Sequence, residues 1–395
     1  MLINKERAGR IMAENGLDAL VATTPENVAY LTGFWILTHL RHRVRQVFAV
    51  VTADDLQADL VISRGLADAA IAADTWVKTY RLYGNFYFST ASLDNGDAEA
   101  KRLMALLDSS PSYPAAVDAL AGCLAERGVA RGRIGVDQGS DTIGLGRILE
   151  GRLPGLSTAP AYDLFRQIRI VKTAGEIDRI RNAVSVNESA LTEAIAAIDE
   201  GVGENAVAAT FFNEVARRGG LPTLVCVGSG PRGALPNVTA GDRIIHRGDA
   251  VRFDVGCIAS AYHADMARTA VLGKPSSKIQ IYHDALVAGE QGILSTIRPG
   301  VVAGDLFHLG VDIVRANGIP HYERNHCGHG NGIEGYDLPH IAPADRTVLE
   351  PGMVLCVETP YYEPGFAGLQ IEDVVAVTET GCERISSIEQ KLFIV

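Results

Sequence analysis

Several features that define other protein classes are missing from this 395-residue chain. Its six cysteines are scattered and none has C-x-x-C spacing, which is typical of reduced thiols in a cytoplasmic protein and argues against a disulfide framework or a cysteine-bound zinc. No apolar run reaches roughly 18 residues, so we expect no membrane span and no membrane partner. The first stretch, MLINKERAGRIMAENGLDAL, is charged and lacks the apolar core of a signal peptide.

A basic excess is missing as well. The formal net charge is −11, which argues against nucleic acid as a partner. The chain is 47% hydrophobic and 21% charged, so it can bury a substantial core. Its length suits two domains of ordinary size.

A segment rich in glycine, proline and serine, EGRLPGLSTAPAYD, divides the chain. Before it, helical and strand patterns alternate and predict a small α/β domain over residues 1–163. After it, a long apolar stripe predicts a helix that begins with a capping box of Thr173 and Glu176. Helices followed by strands then occur twice, so we expect a second domain over residues 164–395 built of two similar α/β halves.

Four carboxylates occur in strand-like segments where burial is unfavourable. They are Asp254 in VRFDVG, Asp265 in YHADMARTAV, Glu358 in MVLCVETP and Glu372 in LQIEDVVAV. An isolated ionised carboxylate in an apolar interior costs several kcal/mol, so such a group is normally paired, neutralised or bound to metal. Four such acids in four segments indicate a common site.

Simpler interpretations remain open for single acids. Any one of them could lie on the solvated face of an edge strand, and we interpret Asp249 and Asp373 in that way. Asp265 could also form a structural ion pair with Arg268.

A histidine surrounded by glycine favours the common site. In GHGNG, the glycines around His329 let the backbone fold tightly and present the imidazole inward. Four carboxylates and one imidazole match a pair of divalent cations, which bridging carboxylates hold about 3.5–4 Å apart. Oxygen-rich ligation with one nitrogen and no thiolate favours Mn, Fe or Co over a structural Zn site.

These segments together resemble the pita-bread metallohydrolase family, peptidase family M24, which contains Xaa-Pro dipeptidases, aminopeptidase P, methionine aminopeptidases and creatinase. GLDALVATTPENVAYLTGF resembles the amino-terminal domain of prolidases and creatinase, and IRIVKTAGEIDRIRNA resembles the start of their catalytic domain. RGDAVRFDVG, YHADMART, GHGNG, EPGMVLCVETP and GLQIEDVVAVTETG follow in the family's order. The resemblance implies a creatinase/prolidase-like α/β domain followed by a pita-bread catalytic domain with pseudo-twofold halves.

The resemblance also implies roles for individual residues. Asp254 would chelate one metal, Asp265 and Glu372 would bridge two, and His329 and Glu358 would complete the second. A water or hydroxide between the two divalent ions, which could be Mn, Co, Fe or Zn, would attack a carbonyl, and Glu358 would carry the proton to the leaving nitrogen.

The sequence departs from the family around the substrate. Prolidases and aminopeptidase P typically carry histidines at three positions where this chain has Asn237, Asn325 and Tyr336. His326 and His340 lie near these positions and could replace them in part. Asn and Tyr can still donate hydrogen bonds, so peptide hydrolysis stays possible, and the pocket could equally have been reshaped for another amide.

Family resemblance further implies a homodimer in which the amino-terminal domain of one subunit reaches over the other's active site. HLRHRVRQ offers Arg41, Arg43 and Arg45, which could bind a substrate carboxylate, although alternating arginines are also typical of a solvated strand face. RLYGNFYFST is an aromatic cluster that could act as a lid, in core packing or in dimer contact.

Three functional classes follow. The leading hypothesis is a dinuclear-metal C–N hydrolase, most simply an Xaa-Pro dipeptidase-like or aminopeptidase-like enzyme for small substrates. The alternative is a metal-dependent hydrolase or lyase of a non-peptide small molecule, as in creatinase or ectoine hydrolase. A binding protein without activity is the third class, and the presence of all five candidate metal ligands speaks against it.

Overall fold

Two units make up the chain in the computed structural model, which describes residues 2–36, 46–73, 75–138 and 143–395. They comprise Met1–Arg169 and Ile170–Val395. The domain boundary expected from the sequence, between residues 163 and 164, falls inside the helix Tyr162–Arg169.

The first unit is an α/β structure around one mixed sheet. Its described helices are α1 (Lys5–Glu14), α2 (Pro25–Thr32), α3 (Ala67–Ala72), α4 (Ala98–Ser109), α5 (Ala116–Glu126), α6 (Leu145–Arg152) and α7 (Tyr162–Arg169). Its described strands are β1 (Ala19–Ala22), β2 (Phe48–Thr52), β3 (Asp59–Ser63), β4 (Thr79–Tyr83), β5 (Ser112–Tyr113), β6 (Arg133–Val136) and β7 (Ser157–Pro160).

The order of strands in this sheet is β5-β4-β3-β2-β1-β6-β7. Strands β1 and β2 are buried along their whole length, as their apolar sequences ALVA and FAVVT require. The predicted arginines Arg41, Arg43 and Arg45 lie outside the described residues.

The second unit contains four long helices and most of the strands. Its helices are α8 (Ala174–Ala196), α9 (Glu204–Arg217), α10 (Ser277–Thr296) and α11 (Ala303–Ala316). Its strands are β8 (Leu221–Ser229), β9 (Ala250–Ala259), β10 (Tyr262–Val271), β11 (Gly328–Gly330), β12 (Asp337–His340), β13 (Val354–Glu358), β14 (Tyr361–Glu363), β15 (Ala367–Leu369), β16 (Glu372–Val377), β17 (Cys382–Arg384) and β18 (Phe393–Ile394).

One nine-stranded sheet organises this unit. Seven strands follow the order β12-β11-β13-β16-β10-β9-β8, while β17 pairs with β16 and β18 with β10. Helices α8 and α9 contact each other and strands of the β8–β10 half, and α10 contacts α11 and strand β13 of the other half. The α/β architecture predicted for both parts of the chain is confirmed. None of the helices in the described ranges is long and apolar enough to cross a membrane.

The hairpin of β9 and β10 fixes the register of the sheet centre. Its turn consists of Ser260 and Ala261, whose φ angles are 53° and 69°. Two consecutive positive φ values are what a two-residue type I′ turn requires, and this turn matches the twist of the flanking strands. Asp254 consequently stands opposite Ala267, and Asp265 opposite Gly256.

The capping box predicted at the start of α8 is confirmed. The Thr173 side chain accepts from the Glu176 backbone, and the Glu176 carboxylate accepts from the Thr173 N–H at 2.8 Å. Tyr262 Oη donates to the same carboxylate at 3.0 Å, which joins α8 to β10. Burial raises the pKa of Glu176 to about 7, although the hydrogen bond from Thr173 and the charge of Lys172 lower it.

This raised pKa gives a testable dependence of stability on pH. The folded protein holds the Glu176 proton more tightly than the unfolded chain does. The contribution of this carboxyl group to the free energy of unfolding is therefore lost as the pH rises from about 4.5 to about 7. We expect Glu176→Gln to reduce the fall in unfolding free energy over this range by up to about 3 kcal/mol. Urea unfolding at pH 5 and pH 7.5 measures it, with the exposed Glu379→Gln as control. Parallel pH dependence of the wild type and Glu176→Gln would contradict the expectation.

Candidate functional site

Five neighbouring strands each place one candidate ligand on the same face of the sheet. In spatial order β11 carries His329, β13 carries Glu358, β16 carries Glu372, β10 carries Asp265 and β9 carries Asp254. Directly opposed residues share a face, and the register pairs Glu358 with Glu372 and Ala267 with both Glu372 and Asp254. Asp265, two residues from Ala267 on β10, shares that face because side chains alternate along a strand.

Distances show which of these side chains meet. Ligand atoms of Asp254, Asp265 and Glu372 lie within 4.8 Å of one another. His329 Nε2 lies 3.8 Å from Glu372 Oε1 and 4.0 Å from Asp265 Oδ2. The structure therefore brings four of the five predicted residues into one cluster, with Asp265 and Glu372 at its centre.

Glu358 lies on the same face of the sheet but has polar neighbours of its own. Its Oε1 lies 3.0 Å from His326 Nδ1, although this ring nitrogen is not aligned to donate a hydrogen bond. Gln370 Nε2 donates to Oε2 at 3.3 Å, and Arg324 Nη2 lies 3.9 Å from the same oxygen. Burial opposes ionisation of Glu358, but the His326 imidazole and the Arg324 charge outweigh it and lower the pKa of this carboxyl.

Crowding shifts the other carboxyls in the opposite direction. Burial raises the pKa of Asp254 to about 6, against the charge of Arg252, and Glu358 raises it further. Burial and the charges of neighbouring acids raise the pKa values of Asp265 and Glu372 well above their ordinary range. Without a cation, the cluster therefore resists full ionisation.

A hydrogen bond to the next residue along its own strand sets the orientation of the His329 ring. Its Nδ1 lies 3.0 Å from the Gly330 carbonyl oxygen, which makes Nδ1 the donor and leaves Nε2 as the acceptor facing Asp265 and Glu372. Tyr336 stacks on the imidazole with ring centroids 3.8 Å apart. Burial lowers the pKa of His329, so the neutral ring that metal ligation needs is favoured.

A buried arginine, Arg252, donates a hydrogen bond to Asp254. Arg252 Nη1 donates to Asp254 Oδ2 at 3.1 Å and to Gln370 Oε1 at 2.8 Å. Its Nε donates to the Gly233 carbonyl at 2.8 Å. Because Gln370 also contacts Glu358, one hydrogen-bonded chain connects Asp254 with Glu358.

A cavity of about 320 Å³ opens beside the cluster, with Asp254 and Glu358 in its wall. It is lined by Pro236, Asn237, Asp254, Arg324, Asn325, His326, Tyr336, Glu358 and Tyr362. All three positions where the family typically carries histidine are therefore in its wall, together with His326. His340 lies on β12 opposite His329.

Two of the simpler interpretations of acidic residues are wrong. They are the solvated position of Asp373 and the ion pair between Asp265 and Arg268. Asp373 is fully buried and forms an ion pair of 2.6 Å with Arg268. Since side chains alternate, Glu372 points to the metal-ligand face and Asp373 to the opposite one. Arg268 is three residues from Asp265 and so faces away from it, which rules out the ion pair considered for these two residues.

Sequence reasoning missed several residues of the site. Arg252, Arg324, Tyr362 and Gln370 sit next to motif residues, but only the fold shows that they converge. Cys356 lies with His329 and Glu372 in a second potential ligand group. Burial and nearby carboxylates raise the pKa of its thiol well above the ordinary value.

Comparison with known proteins identifies the family. The model of metallopeptidase family M24 matches residues 178–379, and that of the creatinase/prolidase N-terminal domain matches residues 5–171. The chain belongs to metallopeptidase family M24. Over 232 residues, 58% of this M24 chain, it is 34% identical to the Xaa-Pro dipeptidase of Pyrococcus furiosus and 33% identical to that of Pyrococcus horikoshii. The aligned segment spans 67% and 66% of those two relatives.

Solved structures agree on the fold over nearly the whole chain. Prolidase from Pyrococcus furiosus superimposes with a TM-score of 0.74 at 25% identity, covering 96% of this chain and 99% of that one. An Xaa-Pro dipeptidase from Bacillus anthracis gives a TM-score of 0.79 at 23% identity and covers 99% of both chains.

The cluster in this M24 protein fits a divalent metal. Asp265 Oδ1 is buried without a hydrogen-bond partner, although such oxygens are normally satisfied. Three mutually repelling carboxylates and an imidazole acceptor converge on the space beside it. A cation there offsets the repulsion that raises the carboxyl pKa values, and carboxylate oxygens with one imidazole are a suitable donor set. The enzyme is accordingly a metal-dependent hydrolase of its family.

A buried ion pair anchors the segment that carries His329. Lys172 Nζ lies 3.5 Å from Asp337 Oδ2, and their side chains are 1% and 0% exposed. Asp337 pairs in the sheet with Gly330, the residue after His329. A side chain at Gly332 would meet both Lys172 and Asp337, so glycine permits this close approach.

Breaking this pair tests its contribution. Lys172→Met removes the ammonium group that Asp337 contacts, and we expect a loss of about 3–5 kcal/mol in unfolding free energy. Chemical unfolding of the metal-loaded protein measures the loss. A Lys172→Met/Asp337→Leu double variant serves as control and should recover part of it, because it also removes the buried carboxylate. Wild-type stability of the single variant would show that the pair is not needed.

Proposed function

We propose that this M24 protein is a dinuclear-metal hydrolase that cleaves the C–N bond of small Xaa-Pro dipeptides. The observation that carries the proposal is the presentation of one imidazole and four carboxylates by five adjacent strands; two of these side chains, Asp254 and Glu358, line a cavity of about 320 Å³. That volume is at the lower end of the roughly 300–1,000 Å³ of ligand pockets and suits a short substrate. The Xaa-Pro dipeptidases of two Pyrococcus species support the substrate class.

The proposed ligand set joins Glu358, as the family resemblance implies, to the cluster of four residues. Asp254, Asp265 and Glu372 would hold one ion, and Asp265 and Glu372 would share the second with His329 and Glu358. Divalent cations at such a site supply Lewis acidity and lower the pKa of a bound water toward about 7. Oxygen-rich ligation favours Mn, Co or Fe over Zn.

The side chains in the cavity wall would transfer a proton and donate hydrogen bonds during the reaction. Glu358, kept ionised by His326 and Arg324, would take a proton from the attacking water and deliver it to the leaving nitrogen. Partial burial and the carboxylates Glu358 and Glu372 raise the pKa of Tyr336, so its hydroxyl stays protonated at neutral pH and can donate a hydrogen bond. Tyr336, with Asn237 and His326, would donate hydrogen bonds to the developing oxyanion.

A second candidate function has its own observation. Asn237, Asn325 and Tyr336 line the cavity where the family typically carries histidine. Such a pocket could also receive a non-peptide small molecule, so the alternative is a metal-dependent hydrolase or lyase of that kind.

The cellular setting and assembly are also proposals. Six free cysteines, five of them buried, suit a reducing compartment such as the cytoplasm, which thiol titration of freshly isolated protein tests. A homodimer is implied by the family, and sedimentation velocity distinguishes it from a monomer.

Metal removal and ligand substitution test the central proposal. We expect the protein to cleave Xaa-Pro dipeptides, to lose this activity with a chelator, and to regain it with Mn²⁺ or Co²⁺. Asp265→Asn and Glu372→Gln should each lower the bound metal below the wild-type stoichiometry and reduce kcat/KM by at least about 100-fold, since a shared ligand is removed.

The exposed Glu379→Gln is the matched control and should keep metal and activity. Full metal content in both ligand variants would refute the ligand set. A metal-loaded wild type that cleaves no dipeptide would refute the substrate class and favour the non-peptide alternative.

Tyr336→Phe tests the oxyanion donor. We expect kcat to fall by about 100-fold, with metal content unchanged, because one hydrogen bond in the transition state is lost. Steady-state kinetics with elemental analysis measure both quantities, and Tyr162→Phe, at a residue of α7 that is 40% exposed, is the control. An unchanged kcat would exclude this role for the hydroxyl.

A further inference from the structure

A cysteine lies among the carboxylates on the ligand face of the sheet. Cys356 on β13 stands directly opposite His329 on β11 and is two residues before Glu358, so these side chains share one face. Glu372 on β16 is its diagonal neighbour, because the register pairs Glu358 with Glu372. Cys356 is fully buried and stands between His329 and Glu372 in the order of strands.

Distances join the cysteine to two of the proposed metal ligands. One ligand atom each of His329, Cys356 and Glu372 lies within 4.8 Å of the other two. A thiolate, an imidazole and a carboxylate are all ligands that zinc accepts in proteins, and a site with three protein ligands keeps a water in the fourth position. The three side chains therefore form a donor set of their own, different from the carboxylate-rich set of the hydrolase.

The ligand atoms of this group are poorly satisfied by the protein itself. Among the described residues, His329 hydrogen-bonds through Nδ1, and its Nε2 is 3.8 Å from Glu372 Oε1, which is too far for a hydrogen bond. The Cys356 thiol has only a weak contact there, a distance of 3.8 Å from Sγ to the Asp265 carbonyl oxygen. Buried imidazoles and carboxylates are normally satisfied, so these atoms point to a ligand between them.

The sulfur changes which ions the group prefers. Carboxylate oxygens suit hard ions such as Mn²⁺, whereas a thiolate selects softer, thiophilic ions such as Zn²⁺ and Cd²⁺. Burial raises the pKa of the free Cys356 thiol, but a metal ion that coordinates sulfur displaces the proton outright. This proton passes to the solvent as the ion binds.

We propose that Cys356, His329 and Glu372 bind a thiophilic divalent ion and that this ion inhibits the enzyme. Inhibition follows because His329 and Glu372 are also the proposed ligands of a hydrolytic ion, so the two ions compete for the same side chains. The inhibition rests on the proposed function, whereas the binding of the thiophilic ion does not. Mn²⁺, which has no preference for sulfur, leaves Cys356 unused.

Ultraviolet absorption tests the binding without turnover. Titration of the Mn²⁺-loaded protein with Cd²⁺ should produce the charge-transfer band of a thiolate–cadmium bond in the wild type and no such band in Cys356→Ser. Elemental analysis of the same samples should show that Cd²⁺ displaces Mn²⁺ from the wild type. Cys382→Ser, at the most accessible of the six cysteines, is the matched control and should keep the band.

The preference between ions gives a second readout. The ratio of Cd²⁺ affinity to Mn²⁺ affinity should fall at least about 10-fold in Cys356→Ser, because the ligand that favours the softer ion is removed. Inhibition of the Mn²⁺-loaded enzyme should likewise need at least about 10-fold more Cd²⁺ in this variant. A mere loss of packing would weaken the binding of both ions alike and leave the ratio as in the wild type. Calorimetric titration measures both affinities, and near-ultraviolet circular dichroism checks that each variant is folded.

The outcomes separate the two proposals. Absence of the band from the wild type, its persistence in Cys356→Ser, or an unchanged ratio of affinities would overturn the role of Cys356. A band that depends on Cys356 in a protein that cleaves no dipeptide would overturn the dipeptidase function and leave the thiolate site standing. If Cys356→Ser does not fold, Cys356→Ala decides by the same band and the same ratio.

Discussion

Repulsion among buried carboxylates is the constraint on which the rest of the second unit depends. Asp254, Asp265 and Glu372 crowd together on one face of the sheet, and their pKa values rise because the interior cannot solvate three negative charges. Apolar residues at these positions would pack more favourably. The hydrogen bonds around these residues, including those of Arg252, offset part of the cost of burying these charges. The charges serve binding and do not stabilise the fold.

The sequence predicted this cluster because its members break a local rule. An acidic residue inside an apolar strand needs a partner for its charge. For Glu358 and Glu372 this need can be seen in the sequence without any alignment. The prediction for Asp373, a position on the solvated face of an edge strand, is wrong. It is equally buried, and period-two alternation alone would have placed it on the face opposite Glu372, with Arg268.

Other parts of the site could not be predicted from pattern. Arg324 and Tyr362 are 38 positions apart, and nothing local in either segment shows that the guanidinium lies over the ring. The hydrogen bonds of Gln370 depend on the positions of two strands. The fold itself followed from resemblance of whole motifs, whereas strand order in the first unit, where β1 lies between β2 and β6, depends on long-range pairing that single-sequence periodicity does not encode.

The long hairpin of β9 and β10 has a consequence for how this protein can change. Both strands have 10 residues, and the side-chain period of two means that adding one residue inside either strand would turn its aspartate to the opposite face. A two-residue lengthening would restore the face but shift the aspartate along the sheet by one full repeat. Changes in chain length are therefore tolerated in the connections between elements and not inside these two strands, which are buried on both faces.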